Sequence, residues 1–402
     1  MEEKAWLETI LHKSSYDKSI SKVLNVSMIS AVPEGNNYAS EIYRATLDVI
    51  LRSGRKSRVT LIVKKAHESK EKAKLLEDFS VFKGEIRIYH DILTKFDQLM
   101  DDNQDNRDKL WCNMLGYKPY TALVFEDLKA QNFKMADRTQ FLDKNHALLV
   151  FNSLGRFHGM GHVLLKQGLV SKDDFVPFYL TVDSPVIENM INGGLKELCT
   201  VIENDWSEEW KVVAKKLKGD ESAIKKLKAL FTVPENCFQT ICHGDCWTCN
   251  MMFKYCPYDE KIPIAVKFVD FQVSHVSSHG FDLLYFLHTS VHPDIRRAQH
   301  KELIVEYHRS LKSTLTNYGM EADTPTLDQI WTELKRLQYY ALIMNLIILA
   351  VTNADEKEAF VLENLNETQN KDAFNPAIFR SDRYKFAVQE ELKKWSKDGR
   401  IY

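Results

Sequence analysis

Apolar and polar positions in the first 130 residues run in short strand-like stretches separated by turn-forming clusters. Val26 to Val32, Glu41 to Leu51 and Arg58 to Lys64 read as strands. They are joined by Pro33-Glu34-Gly35-Asn36-Asn37 and by Arg52-Ser53-Gly54-Arg55, as in an antiparallel meander. From about Glu71 to Leu99 the period lengthens, and Leu75, Leu76, Phe79, Phe82, Ile86 and Tyr89 fall on one face of a helix. A polar segment from Asp101 to Asp108 reads as a loop, and Ala122-Leu123-Val124-Phe125 as a further short strand ended by Glu126-Asp127. Beyond about residue 140 the pattern turns helical over Phe141 to Gln167, Ser184 to Leu230, Asp294 to Tyr318, Thr326 to Ala350 and Arg383 to Lys397. One β-rich island interrupts it around residues 241–272. The expectation is an α+β chain of two lobes. Residues 1–127 form a small N-terminal lobe with an antiparallel sheet plus helix, and residues 128–402 form a large, mainly helical C-terminal lobe.

Composition narrows the function classes. With 402 residues and 44% hydrophobic side chains, either lobe can bury a core of its own. A formal net charge of −2 gives no reason to expect nucleic acid or an anionic membrane as partner. The start, Met1-Glu2-Glu3-Lys4-Ala5-Trp6, is acidic and amphipathic and does not read as a signal peptide. Tyr339 to Val351, the longest apolar run, is interrupted by Asn345 and is too short to span a bilayer, so it reads as a buried helix. A cytoplasmic setting follows as the expectation, with the sequons at Asn25 and Asn366 unused and the seven cysteines reduced. The lysine-rich run from Lys211 to Lys228 is flanked by Glu208, Glu209, Asp220 and Glu221 and reads as a solvated helix face. No feature of the sequence sets an oligomeric state.

The β-rich island carries the chemistry. It contains Ile241-Cys242-His243-Gly244-Asp245-Cys246-Trp247-Thr248-Cys249-Asn250 and then Val269-Asp270-Phe271-Gln272. An Asp, an Asn five positions on and a second Asp twenty further supply one acceptor for a substrate proton and two oxygen ligands for a hard cation. Phosphoryl transfer from ATP uses that order of groups. Asp245 is the candidate base, and Asn250 and Asp270 are the candidate Mg²⁺ ligands. The competing reading is a loop in which Asp245 and Asn250 only cap turns. The His-Gly before it, Met251-Met252-Phe253 after it and the Val-Asp-Phe strand end favour the chemical reading.

A nucleotide site also needs a cation. Leu61-Ile62-Val63-Lys64 ends an apolar strand with a lysine, and Glu85 lies 21 residues on along a helix, the spacing of a strand-lysine to helix-glutamate ion pair. Strand alternation places Lys64 on the face of Ile62 and sets the neighbouring Lys65 on the other. Gly35 and Asn36, between two strands, stand where a phosphate-covering loop belongs, although one glycine also suits a plain hairpin turn. Glu126 and Leu128 stand where a hinge would offer backbone groups to adenine. Asp282 and His243 read as structural, Asp282 by accepting backbone N–H groups of the loop or capping the next helix. Cys242, Cys246, Cys249 and Cys256, with His243 and His275, allow a zinc reading. Their interleaving with Asp245 and Asn250 argues against it.

These motifs resemble the ecdysteroid kinase-like family, a branch of the choline kinase and aminoglycoside phosphotransferase group. The resemblance runs over nearly the whole chain. It is carried by Leu61 to Lys64, Phe82 to Tyr89, Leu123 to Leu128, Leu154-Gly155-Arg156-Phe157-His158-Gly159, Cys242 to Trp247 and Asp270-Phe271-Gln272. It implies a bilobal protein kinase-like fold and ATP- and Mg²⁺-dependent phosphorylation of a hydroxyl on a small molecule. Ecdysteroid hormones are the namesake substrates, and detoxification of xenobiotic metabolites is the second role it suggests. Where members often carry Asn-Asn, this chain has Cys249-Asn250. The alternative reading is a pseudokinase-like binding protein that sequesters a small apolar ligand without turnover. The acceptor is expected between about residues 165 and 235 and the helices after 290, where Phe175, Phe178 and Tyr179 suit either a pocket wall or the core.

Overall fold

The computed structural model describes residues 2–14, 16–31, 40–66, 81–119, 121–219, 223–355, 360 and 373–401. Gly35 and Asn36 lie outside these residues, as do Asn366 and the first ten positions of the helix expected from Glu71. The chain begins with a helix, α1 (Glu2–Lys13), and continues into strands β1 (Ile20–Ser30), β2 (Ser40–Leu51) and β3 (Lys56–Ala66). With β4 (Met114–Lys118) and β5 (Ala122–Glu126) they form one antiparallel sheet in the order β1-β2-β3-β5-β4. Alternation along β2 and β3 buries Ala45, Leu47, Val49, Leu61 and Val63 on one face, against Leu7, Ile10 and Leu11 of α1. The opposite face carries Ile62 and the buried Lys64. The sequence pattern missed α1 and β4, and it began β1 late, because the buried Ile20 and Val23 that anchor the strand under α1 stand three apart across a register shift and break the alternation.

Three helical pieces follow: α2 (Val81–Arg87), a π-helical turn (Ile88–Ile92) and α3 (Leu93–Asp102). The wider turn keeps Ile88, Tyr89 and Ile92 buried. After a short strand β6 (Phe133–Lys134) comes α4 (Lys144–Lys166), which is buried on nearly all sides. The stretch expected as one helix from Ser184 to Leu230 is α5 (Pro185–Asp205), α6 (Lys211–Lys218) and α7 (Ala223–Ala229). Extended backbone at Trp206 and Ser207 breaks it, and the turn brings the Trp206 and Trp210 rings edge to face at 5.3 Å inside the core.

The β-rich island consists of β7 (Gln239–Cys242) paired with β10 (His275–Ser278), and of β8 (Met251–Cys256) between β6 and β9 (Asp259–Phe268). It is followed by α8 (Gly280–Thr289) and by α9 (Pro293–Asn317), which packs along α4. The helix expected from Thr326 to Ala350 is α10 (Leu327–Arg336), α11 (Gln338–Ile343), a π turn (Met344–Ile348) and α12 (Leu349–Thr352). A bend of 58° separates α10 from the rest. Among the described residues no single helix is long and apolar enough to cross a membrane. The chain closes with α13 (Ala377–Arg380) and α14 (Asp382–Asp398). An antiparallel sheet with its helices, followed by a mostly helical remainder, is the α+β class the patterning predicted.

The last helix is fastened by charge. Glu391 of α14 accepts from Arg296 of α9 at 2.9 Å and from Arg297 at 2.9 Å, with Arg296 and Glu391 both buried. Burial alone would raise the Glu391 carboxyl, but the two guanidinium groups outweigh it and hold it at about 2. Removing the carboxylate would leave Arg296 as an uncompensated buried charge. Glu391→Gln is therefore expected to lower the unfolding free energy by about 3 kcal/mol in denaturant titrations near neutral pH. Because the folded-state value is depressed, this contribution is whole above about 4.5 and fades as pH falls toward about 2. The gap between the two proteins should narrow across that window.

Candidate functional site

The turn after β7 is built by two constraints. Gly244 has φ +85°, and a Cβ there would stand 2.4 Å from the Val273 carbonyl oxygen, so the backbone passes where only glycine fits. Asp282, near the start of α8, then accepts the N–H of His243 at 2.7 Å and that of Gly244 at 2.9 Å. It is steadied by His158 Nε2 at 3.1 Å, and the far side of that ring meets the Tyr307 hydroxyl at 3.0 Å. Burial would raise Asp282, but the hydrogen bond and charge of His158 keep it below the usual range. This is the loop-organising role expected of Asp282.

His243 joins the loop to the next strand. Its Nδ1 accepts the Asp245 N–H at 3.3 Å, so Nε2 carries the proton and donates to the Val269 carbonyl at 3.0 Å. Both ring nitrogens are thereby spent on structure. The Asp245 side chain is gripped at both oxygens: Tyr285 of α8 donates to Oδ1 at 2.5 Å and Asn250 Nδ2 donates to Oδ2 at 2.8 Å. Burial raises the Asp245 carboxyl, the nearby Asp270 charge adds to that, and the Tyr285 hydrogen bond pulls the other way. Tyr285 escaped the sequence reading. The available signal was its place three residues after Asp282 on one helix, which has no meaning until the helix is aimed at the loop.

Asp270 follows β9 with φ +65°, a left-handed conformation that Asp tolerates better than most residues. Lys64 Nζ lies 2.7 Å from Asp270 Oδ1 and 2.7 Å from Glu85 Oε2. Burial would lower the Lys64 pKa, yet the charges of Asp270 and Glu85 outweigh it and the amine stays firmly protonated. Glu85 is pushed up by burial and by Asp270 against the pull of Lys64. Lys65, the competing lysine, points to the other face of the sheet, where it pairs with Glu3 of α1. Helix α2 comes close because Gly84 lies against the Val176 side chain and the Gln272 carbonyl, which a Cβ would meet at 3.0 and 3.2 Å. Phe271 seals the junction, wholly buried between Tyr89 at 5.5 Å and His243 at 4.6 Å.

The fold thus brings Lys64, Glu85 and Asp270 into direct contact and joins Asp245 to Asn250. Glu126 and Leu128 sit at the end of β5 and the start of a 3₁₀ turn. The Glu126 carboxylate braces this turn by accepting from the Asn113 N–H at 2.7 Å and from Gln131 at 2.7 Å. Its own N–H goes to the Asn113 carbonyl, whereas the Leu128 N–H, first in its turn, has no intrahelical partner. Gly35 and Asn36 lie outside the described residues. All seven cysteines are free thiols, and Cys242, Cys246, Cys249 and Cys256 do not converge on one point. Among the described residues the metal-capable group is His158, Cys242 and Asp282, and its atoms are spent on hydrogen bonds, the Cys242 thiol donating to Ser278 at 3.4 Å.

The donor set suits a hard cation with a polyphosphate. Asp270 offers a carboxylate beside a lysine. Asn250 uses its amide nitrogen on Asp245, which leaves its Oδ1 for a ligand. No soft sulfur donor enters the set. The model of the ecdysteroid kinase-like family matches residues 34–320, more than half of the chain. No curated protein matches it.

The Gly244 geometry generates a prediction. Gly244→Ala forces a side chain into the Val273 carbonyl and into left-handed backbone. It is expected to cost about 1–2 kcal/mol in denaturant titrations from the backbone strain alone. Unchanged stability would show that the turn relaxes freely.

Proposed function

The chain belongs to the ecdysteroid kinase-like family, and from that premise we propose that it transfers the γ-phosphoryl group of ATP to an alcohol hydroxyl of a small ecdysteroid-like or xenobiotic metabolite. The family is one of kinase-like small-molecule phosphotransferases, and the α+β arrangement is its protein kinase-like fold. The observation that carries the proposal is the buried Lys64, held at 2.7 Å by both Glu85 and Asp270 while Asp245 and Asn250 are hydrogen-bonded in the loop beside them. A nucleotide would lie between an N-terminal lobe, residues 1–127, and a C-terminal lobe, residues 128–402. The seven free thiols suit a cytoplasmic setting.

In this reading Asp245 receives the proton of the acceptor hydroxyl as its oxygen bonds to the γ-phosphorus, and the bond from that phosphorus to the bridging oxygen breaks to release ADP. The proton then passes from Asp245 to solvent. Lys64 directs its charge at the α- and β-phosphates, and Glu85 keeps the amine in place. Asn250 Oδ1 and Asp270 would hold Mg²⁺, which when bound neutralises phosphate charge and keeps the triphosphate in line. Leu128 N–H and the Glu126 backbone would meet adenine, and the loop at Gly35 and Asn36 would cover the phosphates. Positioning and charge neutralisation supply most of the rate enhancement, since the protein forms no covalent intermediate.

The test is a mass-spectrometric product screen. Purified protein is incubated with Mg²⁺–ATP and a panel of hydroxylated steroids, phenolic glycosides, choline-like alcohols and aminoglycosides. The expected result is a product heavier by one phosphoryl group, absent with Asp245→Asn, whose affinity for Mg²⁺–ATP stays near that of the parent. Turnover retained in Asp245→Asn would sink the assignment of the base. Mg²⁺–ATP binding without product would mean that the panel missed the acceptor, and neither product nor nucleotide binding would favour the sequestering pseudokinase. Asp270→Asn is expected to weaken Mg²⁺–ATP binding about tenfold or more, read by calorimetry, because a charged ligand is lost. An unchanged affinity would remove Asp270 from the metal site.

A further inference from the structure

The short helix α8 aims two side chains at the candidate catalytic loop. Asp282 and Tyr285 stand three positions apart on it and so share one face. The first fixes the backbone through the N–H groups of His243 and Gly244. The second reaches the functional carboxylate itself, with its hydroxyl 2.5 Å from Asp245 Oδ1. Tyr285 is buried, and the acceptor of its proton is the residue the reaction would depend on.

A free aspartate carboxylate turns readily about its terminal torsion, which has broad, shallow wells. Here it cannot. Asn250 holds Oδ2 at 2.8 Å from the loop and Tyr285 holds Oδ1 from α8, so the plane of the carboxylate is set by donors on two separate elements. Asn250 is in turn tied to the Asp245 carbonyl at 2.9 Å and has a second duty at the metal in the proposed reaction. Tyr285 has no such duty: among the described residues its hydroxyl has Asp245 as partner. Tyr179 and Tyr340 also lie within electrostatic reach of Asp245. Neither donates to its carboxylate.

We propose that Tyr285 is a positioning residue for phosphoryl transfer, holding the Asp245 carboxylate in the orientation that receives the acceptor proton. The inference rests on the phosphotransferase reading above. A plain alternative is that Tyr285 is a core tyrosine whose hydroxyl found the nearest acceptor. The two differ in what removal of one oxygen does. A hydrogen bond to a charged group is worth about 1.5–3 kcal/mol, so losing a bond that acts in the transition state lowers kcat by about tenfold or more.

The experiment compares the parent, Tyr285→Phe and Asp245→Asn, all as full-length protein. Kinetics use Mg²⁺–ATP with the acceptor from the product screen, and with water as acceptor where the screen returns none. Infrared spectra use protein labelled with ¹³C-carboxyl aspartate, and the Asp245 band is isolated by subtracting Asp245→Asn. The expected result for Tyr285→Phe is a shifted Asp245 band and a kcat about tenfold lower or worse, with KM and Mg²⁺–ATP affinity within about twofold of the parent. A band that does not move would show that the bond is absent in solution, and a shifted band with kcat unchanged would show that it does not serve turnover. Either result overturns the proposal. Turnover surviving in Asp245→Asn overturns the assignment of Asp245 as base instead, and a parent that turns over neither the acceptor nor water overturns the phosphotransferase reading, so the failures are separable. If Tyr285→Phe does not fold, 3,5-difluorotyrosine at position 285 keeps the shape and sharpens the donor. It should then change kcat while leaving KM, and no change in kcat would again overturn the inference.

Discussion

A single protonated amine in a nearly dry setting ties the N-terminal sheet to the β-rich island. Lys64 comes from the middle strand of the N-terminal sheet, Glu85 from the helix beside it, and Asp270 from the end of β9, more than 200 residues away. Each of these groups would be costly to bury alone. Together they form a cluster of one cation and two carboxylates that leaves Asp270 partly open to incoming groups. In the proposed function that excess of negative charge has a use. A divalent cation at Asp270 would take up one of the two carboxylates and free the lysine to face a phosphate. In the proposed reaction the nucleotide and its metal would rebalance the cluster.

The second organising element is α8. Through Asp282 it holds the backbone of the candidate loop, and through Tyr285 the carboxylate of Asp245. The loop is pulled from one side by this helix and from the other by His243, whose ring bridges the Asp245 N–H and the Val269 carbonyl. Phe271 then fills the space between His243 and Tyr89 of the π turn that follows α2. A rigid aromatic contact thus runs from the helix that carries Glu85 to the loop that carries Asp245. Side chains placed by such packing hold their geometry better than side chains on a free loop.

Much of this was legible in the amino-acid order. Lys64 could be separated from Lys65 by strand alternation alone, and the structure sends the two to opposite faces of the sheet. Asp245, Asn250 and Asp270 stood out because their spacing matches a chemical need. What stayed hidden depends on tertiary placement. Tyr285 looks like one aromatic among several in an apolar helix, since an Asp-x-x-Tyr step acquires significance only when the helix points at the loop. The breaks at Trp206 and Leu337 were missed for a similar reason, because both lie in runs whose apolar period continues across them. β4 is short, half-buried from Met114 to Tyr117 and exposed at Lys118, so it gave almost no alternation to read.

The central claim is that Lys64, Glu85 and Asp270 cradle a metal-bound nucleotide. It is tested most directly by calorimetric titration of the protein with ATP in the presence of Mg²⁺ and again in the presence of a chelator, with Lys64→Met beside the parent. The account predicts binding that requires the metal and that weakens by about tenfold or more in Lys64→Met, since a charge-assisted contact is lost. No binding by the parent, or binding indifferent to both the metal and Lys64, would contradict it.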